Sequence, residues 1–458
     1  MGSNPIRTFL SSLPASITPQ AVRPRVSMGE LLRDCVALIS GRGEASGVAL
    51  ATSILERYAQ LDPVSRARIL EALRAGRFGA DRKRLEDVIA RYREIPDASN
   101  TLALHKAAEP RRQELIRRLN LAPGGTAALV RMREDLLRAL ADRGHASDLG
   151  VVDADFVHLF SSWFNRGFLV LRRIDWTTPA HILEKIIRYE AVHQIDSWED
   201  LRARLEPADR RCFAFFHPTL VDEPLIFVEV ALQGDIPAAI APILAAARPA
   251  TDAARATTAV FYSISNCQLG LKGVSFGNFL IKQVVEELKR EFPALDTFVT
   301  LSPVPGFLAW VAQTRAARHT SPFSGADLAT LDLLKNEGWQ GDVAACKALK
   351  PILQNAIAYY LLVARGRDGS SIDPVARFHL GNGARLARVN WMADLSPKGL
   401  AQAAGFMVNY HYVPADIERN HEAFANQGEV ATVHAVKRLL RDPEPILRRQ
   451  ARTAGAAA

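Results

Sequence analysis

Residues 261–307 carry the strongest structural signal in this chain of 458 residues. Residues 257–265 are rich in β-branched and aromatic types, which predicts a buried strand that ends near Asn266. Glycines then interrupt the pattern, and from Phe276 the apolar residues recur at helical spacing until a proline ends the helix. A second strand is predicted at 297–301. Two parallel strands joined by a helix form a right-handed crossover, so the glycine-rich loop and Ser302 are expected at the same edge of the sheet.

The glycine-rich loop is suited to an anionic ligand. Gly273 and Gly277 allow the backbone to approach a phosphate, and Ser275 is a candidate N-cap for a helix whose first N–H groups point into the loop. The loop lacks the Gly-Lys-Ser/Thr ending of a P-loop, since Asn278 follows Gly277, and it lacks the Gly-x-Gly of a dinucleotide fold. Residues 268–273, QLGLKG, do match the Gln/Arg-x-x-Gly-x-Gly/Ala loop with which GNAT-type acyltransferases hold the pyrophosphate of coenzyme A.

Longer segments, read in order, resemble the malonyl-CoA decarboxylase family. They are residues 163–171, 190–198, 263–293, 301–307, 373–396 and 409–412. The resemblance extends over roughly residues 150–413. It implies an α+β multidomain fold, in which an N-terminal all-α helical bundle is followed by a GNAT-like mixed α/β catalytic domain. It also implies conversion of malonyl-CoA to acetyl-CoA and carbon dioxide.

The resemblance also implies the site residues. By position, the family's catalytic serine corresponds to Ser302 and its catalytic histidine to His379, and both are expected to contact the substrate. Animal members tend to have an acidic residue where this chain has Ser275, a departure that concerns the side chain and not the backbone of the loop. Tyr412 resembles a tyrosine that borders the active site, although its strand pattern alone assigns it to the core. The acyl-CoA loop is expected at Lys272, Gly273, Val274, Ser275, Phe276, Gly277 and Asn278.

The implied chemistry requires no metal and no organic cofactor, and none is predicted. A thioester carbonyl beside the departing carboxylate already accepts electrons, and backbone N–H groups can stabilise the resulting enolate. His379 can deliver a proton to the α carbon near neutral pH. Ser302 can hydrogen-bond the malonyl carboxylate or act in the proton relay. The sequence leaves open which of the two carries the proton at each step.

Two other functions are compatible with parts of the same loop. Residues 273–277 form a Gly-x-Ser-x-Gly string, which would make Ser275 the nucleophile of a serine hydrolase. A nucleophile elbow directly follows its strand, whereas residues 266–272 separate this string from the predicted strand. The remaining alternative is a GNAT-type protein that binds or transfers acyl groups without decarboxylation. In the hydrolase interpretation the acid and the base would be Asp373 or Asp394 and His411 or His421.

Composition is that of a globular protein, with 48% hydrophobic and 23% charged residues. The formal net charge is +8, but basic and acidic residues alternate, as in residues 131–143, and no basic groove with aromatic residues is evident. We therefore predict solvated helix surfaces and no nucleic-acid partner. The positive excess favours a highly anionic ligand such as malonyl-CoA through long-range steering.

The expected location is the cytoplasm of a bacterium. The four cysteines lack CxxC pairs and metal-ligand spacing, which indicates reduced thiols. No apolar run reaches ~18 residues, so no membrane partner is predicted. Residues 1–27 lack a hydrophobic signal core, although their three arginines and lack of acidic residues are also compatible with a mitochondrial leader. Richness in alanine and arginine indicates a bacterial source.

The length exceeds one ordinary core and predicts two domains. Residues 1–27 are expected to be flexible, and residues 28–160 to form a domain of about six helices. The family resemblance assigns this helical domain to assembly of a homo-oligomer, namely a tetramer. Residues 161–458 are expected to form the GNAT-like catalytic domain, with a helical insertion at about 311–370.

Overall fold

The computed structural model describes residues 27–41, 43–143, 148–245, 248, 251–274, 276, 280–316, 322–366 and 371–442. By its internal contacts the chain divides into two units, Met1–Phe156 and Val157–Ala458. The boundary lies within one helix, Gly150–Trp163.

The N-terminal unit is helical wherever it is described. We predicted about six helices before residue 160, whereas the described residues form eight, because the chain also turns at Gly41, Gly76 and Pro110. A 3₁₀ turn at Gly76–Phe78 joins the third helix to the fourth. The helices are α1 (Met28–Ser40), α2 (Glu44–Gln60), α3 (Pro63–Ala72), α4 (Arg82–Glu94), α5 (Ala98–Ala108), α6 (Arg111–Asn120), α7 (Gly125–Arg143) and α8 (Gly150–Trp163).

Burial of apolar helix faces holds this unit together. Leu70, Leu115 and Leu136 are at most 1% exposed, and each such side chain contributes about 1.5–3 kcal/mol when it leaves water. The guanidinium of Arg112, itself buried, forms an ion pair with Asp155 on α8. A buried pair of this kind fixes the alignment of two helices, because removal of one partner leaves an uncompensated charge.

The second unit is built on one mixed sheet. In its described residues the strand order is β1-β2-β3-β4-β5-β8-β6, and β7 pairs with β8. The β4–β5 pair is parallel, and the other described strand pairs are antiparallel. The strands are β1 (Val170–Ile174), β2 (Arg210–Phe216), β3 (Pro224–Gln233), β4 (Thr258–Asn266), β5 (Thr297–Thr300), β6 (Ser302–Pro303), β7 (Arg385–Asn390) and β8 (Met407–Tyr412).

Helices connect these strands. One of them, α12, forms the crossover between the parallel strands β4 and β5, as predicted. Short 3₁₀ helices lie at Arg166–Phe168, Ala253–Arg255, Leu269–Leu271, Leu331–Lys335 and Trp339–Gly341. The α-helices are α9 (Ala180–Tyr189), α10 (Trp198–Leu205), α11 (Ala241–Leu244), α12 (Leu280–Glu291), α13 (Phe307–Ala316), α14 (Gly325–Thr330), α15 (Val343–Leu362), α16 (Pro374–Gly381), α17 (Pro397–Ala403), α18 (Ile417–Gln427) and α19 (His434–Lys437).

The sheet opens at the carboxyl ends of β4 and β5. The parallel register ends at Phe261–Thr300, followed by one further hydrogen bond from Leu301 N to the Phe261 carbonyl at 3.0 Å. β5 also pairs with β8 on its other side, and that pairing continues beyond β5, where Ser302 lies opposite Val408. Open α/β sheets bind ligands at such a gap, where neighbouring strand ends diverge.

The described strand pairing of this segment ends at Pro303, which lies opposite Met407 at the edge of the sheet, where a proline loses no donor that the sheet needs. One local prediction needs correction, since we expected a helix from about Phe276. Phe276 lies outside the helix, and the first described residue of α12 is Leu280. Glycine and asparagine are weak helix formers, which is consistent with a later start. The predicted N-cap, Ser275, lies outside the described residues.

The C-terminal end of α16 is anchored to α18. The Asn420 side-chain amide donates to the Gly383 carbonyl at 3.1 Å, and His421 Nδ1 lies 2.7 Å from the Gly381 carbonyl oxygen. Gly383 has a φ of +82°, and a Cβ atom added there would collide with the Ile417 carbonyl. Glycine is therefore required at this position both for its conformation and for the close approach of the two segments.

We expect Gly383→Ala to lower the free energy of unfolding by about 3 kcal/mol or more, because a left-handed backbone and a steric clash act together. Gly381→Ala is the matched control, since no heavy atom lies within 4 Å of its added Cβ and alanine favours a helix. Chemical denaturation of both variants measures the difference. Equal stability of the two variants would contradict the packing described for α16 and α18.

Candidate functional site

Ser302 and His379 meet at the opening of the sheet. Ser302 belongs to β6, His379 belongs to the last turn of α16, and the Ser302 Oγ lies 3.0 Å from His379 Nε2. Their exposures are 5% and 2%. The structure thus brings together two residues from separate sequence segments, in a place from which water is largely excluded.

Three further side chains surround this pair. The Ser302 hydroxyl donates to Thr300 Oγ1 at 2.9 Å. Thr300 Oγ1 also accepts from the Tyr410 backbone N–H at 3.1 Å. The Tyr410 ring stacks on the His379 imidazole, with ring centres 4.7 Å apart and planes inclined by 24°. The Tyr412 hydroxyl lies 2.8 Å from His379 Nδ1. The imidazole is therefore held on both nitrogens and on one face.

Sequence reasoning missed Thr300 and Tyr410 as members of this site. The two-residue period of a strand would have indicated Thr300, because it lies two residues before Ser302 and such residues point to the same face of a sheet. Tyr410 and Tyr412 are related in the same way on β8. Of these aromatics only Tyr412 was singled out, and its contact with His379 places it beside the site.

Burial controls the protonation of His379. It lowers the pKa of His379 to about 3, so the imidazole is neutral at physiological pH and has one N–H and one lone pair. The Ser302 hydroxyl donates to Thr300, which leaves the Ser302 oxygen free to accept from Nε2–H. Nδ1 then accepts from the Tyr412 hydroxyl. These partners favour the tautomer with the proton on Nε2.

The local sequence explains why α16 begins where it does. Pro374 occupies the first helical turn, where its missing N–H costs nothing, and the Asp373 carboxylate accepts from the Ala376 N–H at 2.8 Å. This cap starts a short helix that ends two residues after His379. His379 is thereby presented from a rigid element and not from a loop.

The glycine-rich loop and α16 face each other across a cavity of about 330 Å³. Gly273, with a φ of +80°, turns the loop at this wall, where Lys272 is exposed. Arg377, an exposed cation two residues before His379, was not predicted as a site residue. The loop contributes Lys272, Gly273, Val274 and Phe276 to the lining, and α16 with its C-cap contributes Arg377, Phe378, Gly381 and Asn382.

Three of the predicted loop residues, Ser275, Gly277 and Asn278, lie outside the described residues, and their predicted roles stay predictions. The catalytic roles of Ser302 and His379, and substrate binding by the loop, also stay predictions. Among the described residues, no group of three or more His, Cys, Asp or Glu side chains is placed to hold a metal ion. The described helices include none that is long and apolar enough to cross a membrane.

The geometry does not favour a nucleophile elbow at Ser275. A 3₁₀ turn, Leu269–Leu271, lies between the end of β4 and Gly273, so the Gly-x-Ser-x-Gly string does not directly follow its strand. The candidate bases have other contacts: His411 Nδ1 lies 3.0 Å from the Arg385 guanidinium, and His421 lies against the Gly381 carbonyl.

Comparisons with known proteins agree over nearly the whole chain. Family profiles match the malonyl-CoA decarboxylase C-terminal domain at residues 167–450 and the malonyl-CoA decarboxylase N-terminal domain at residues 78–164. The mitochondrial malonyl-CoA decarboxylase of Anser anser anser is 36% identical over 399 residues, which are 80% of this chain and 78% of that protein. That of Rattus norvegicus is 36% identical over 384 residues, or 77% of each chain.

Solved structures give the same answer for the fold. Malonyl-CoA decarboxylase from Rhodopseudomonas palustris is 57% identical, covers 90% of this chain and 99% of its own, and superposes with a TM-score of 0.86. The enzyme from Agrobacterium vitis is 56% identical, covers 90% of this chain and 100% of its own, and has a TM-score of 0.83. The predicted order of the two parts is confirmed: helices come first, and a mixed α/β domain follows.

The neutral state of His379 predicts a pH-dependent stability. An unfolded histidine titrates near pH 6.5. Below that pH the unfolded chain therefore binds a proton that folded His379 does not bind. Stability from this site should therefore fall by about 2 kcal/mol between pH 7 and pH 5. The His379→Asn variant should lack this component, while other groups contribute equally to both proteins. Chemical denaturation of the parent protein and of His379→Asn at pH 7 and pH 5 measures this difference. An identical loss of unfolding free energy in the two proteins would contradict the burial of a neutral imidazole.

Proposed function

Because the chain belongs to the malonyl-CoA decarboxylase family, we propose that it converts malonyl-CoA to acetyl-CoA and carbon dioxide at Ser302 and His379. One observation carries the assignment to these residues. The buried hydrogen bond of 3.0 Å between Ser302 Oγ and His379 Nε2 joins an oriented hydroxyl to a base from a different segment. General acid–base chemistry requires such contact before any argument from pKa.

The phosphates of the substrate bind at the loop and the cavity beside it. Lys272 on one wall and Arg377 on the other supply positive charge, and the glycine backbone at 273 allows phosphate oxygens to approach the N–H groups. The N-terminus of α12 adds its dipole. The thioester end then extends past Phe378 toward His379, its neighbour on α16.

The bond that breaks joins the α carbon to the malonyl carboxylate. Its electron pair passes into the thioester as an enolate, carbon dioxide leaves, and one proton adds to the α carbon. Ser302 orients the carboxylate so that the breaking bond stands perpendicular to the thioester plane. Backbone N–H groups of the loop stabilise the enolate oxygen, a contribution of about 3–4 kcal/mol per donor.

His379 supplies the proton, although burial alone keeps its imidazole neutral. A malonyl carboxylate beside the imidazole adds a negative charge within a medium of low dielectric constant, which raises the pKa of His379 again. The imidazole then takes up one proton from solvent, and the imidazolium passes that proton to the α carbon after carbon dioxide has left. Tyr412 keeps the ring in place throughout, since its hydroxyl remains on Nδ1.

Location and assembly are also proposed here. Cytoplasmic placement rests on the cysteine pattern and the bacterial composition, and solved relatives come from bacteria. Assembly as a homotetramer through the helical N-terminal domain rests on the family resemblance. Light scattering of the purified protein measures the number of subunits directly.

The first test is turnover. Purified protein incubated with malonyl-CoA should yield equal amounts of acetyl-CoA and carbon dioxide. A folded protein that forms neither product would contradict the proposed function. Covalent labelling of Ser275 by a fluorophosphonate, with loss of activity, would favour the serine hydrolase instead.

We expect Ser302→Ala and His379→Asn each to lower turnover by about 10²- to 10⁴-fold with the fold intact, because each removes an oriented polar group. His105→Asn, a change at an exposed helical position of the N-terminal unit, is the control and should keep full activity. Steady-state kinetics measures the turnover of the three variants, and circular dichroism shows whether they fold. Near-normal turnover in both site variants would show that the reacting groups lie elsewhere.

We expect Gly273→Val to raise the KM for malonyl-CoA strongly, because a side chain there blocks the approach of the phosphates and strains the left-handed backbone. Gly338→Val is the matched control: its φ is +75°, and its surroundings are equally open. It should suffer the same backbone strain and leave the KM unchanged. An equal rise of KM in both variants would show that the loop does not bind the phosphates of the substrate.

A further inference from the structure

A fully buried carboxylate lies behind the Ser302–His379 pair. Asp373 is 0% exposed, and burial raises its pKa. It accepts a hydrogen bond from the Tyr360 hydroxyl at 3.2 Å and from the Ala376 N–H at 2.8 Å. An N-cap alone does not require a charge in such a place, since an uncharged serine or asparagine caps equally well.

Gly306 lies beside the Tyr360–Asp373 pair and connects it to the serine: a Cβ atom added at Gly306 would lie 3.9 Å from Asp373 Oδ2. Gly306 follows Ser302 by four residues, two of which are prolines with a fixed φ. A shift of Gly306 therefore passes through a stiff link to Ser302. The Gly306 backbone is also in close contact with Tyr360: a Cβ atom there would lie 2.6 Å from the Tyr360 hydroxyl oxygen.

The contact with Ala376 connects Asp373 to the histidine. It caps α16, whose eight residues move together, and His379 lies in its last turn. Tyr360 comes from a third element, α15, where it is 1% exposed and packs against Trp310, with ring centres 5.1 Å apart. The Tyr360–Asp373 pair thus touches both backbone segments that carry the reacting side chains, and it touches neither side chain directly.

We infer that Asp373 and Tyr360 are positioning residues, which set the distance between Ser302 Oγ and His379 Nε2, because Tyr360 packs against Gly306 while its partner Asp373 caps the start of α16. The inference rests on the proposed function for its effect on rate. The effect on geometry does not depend on that function.

Tyr360→Phe tests this inference with the smallest change. It removes one hydroxyl and keeps the ring packed, so the variant should fold with a melting temperature within a few degrees of the parent protein. Turnover should fall about tenfold, the rate equivalent of one lost hydrogen bond, while the KM for malonyl-CoA stays within about twofold. Tyr359→Phe, on the same helix, is the control and should keep normal turnover, since its ring stacks on Trp310.

A double variant separates positioning from general loss of stability. If Tyr360 acts through the histidine, Tyr360→Phe should have no further effect on the residual rate of His379→Asn. Independent, multiplying effects would overturn the inference. Asp373→Asn keeps a capping oxygen for Ala376 but places an NH₂ group where Asp373 Oδ2 accepts from Tyr360, and it should lower turnover further than Tyr360→Phe does.

Crystal structures of the parent and of Tyr360→Phe supply a readout that needs no activity. The distance from Ser302 Oγ to His379 Nε2 should increase by about 0.5 Å or more, beyond the tolerance of a positioned site. An unchanged distance with unchanged turnover would overturn the inference. If the parent protein fails to decarboxylate malonyl-CoA, the proposed function fails, and the measured distance still decides whether Asp373 and Tyr360 position the pair.

Discussion

The end of the parallel ladder between β4 and β5 is the constraint on which the site depends. Backbone pairing holds the two strands together as far as Phe261 and Thr300, while β5 keeps pairing with β8 on its other side. The ends of β4 and β5 diverge beyond that point, and Ser302 lies just past it, still paired with β8. The crossover helix α12 carries the chain back so that β5 runs parallel to β4, and both strands therefore end at the same edge. The glycine-rich loop and the serine lie at one edge of the sheet for this reason.

Burial then determines what the histidine can do. A solvated imidazole would be partly charged near neutral pH, whereas His379 is held neutral by its surroundings and oriented by two hydroxyl groups. Low dielectric constant makes the imidazole sensitive to the charge of whatever binds beside it.

The Ser302–His379 pair lies on two elements that are distant in sequence. β6 and α16 are both very short, so neither has much packing of its own to fix its position. Asp373 caps α16 through Ala376 and accepts from Tyr360 of α15, and Tyr360 lies against Gly306, which is close to Ser302 in the chain. Burial disfavours the charged form of Asp373, and these hydrogen bonds offset part of that cost.

The sequence alone determined the strand–loop–helix–strand order around residues 257–301, because strand and helix periodicities differ and glycine and proline mark their ends. It also indicated Ser302 and His379 through the family resemblance. Tertiary structure decided which side chains meet: Thr300, Tyr410, Arg377 and the Asp373–Tyr360 pair come together through strand pairing and helix packing between residues far apart in the chain. No local pattern encodes such contacts, since each depends on the register of another element. The start of α12 was mispredicted for a local reason: apolar spacing begins at Phe276, but glycine and asparagine are weak helix formers.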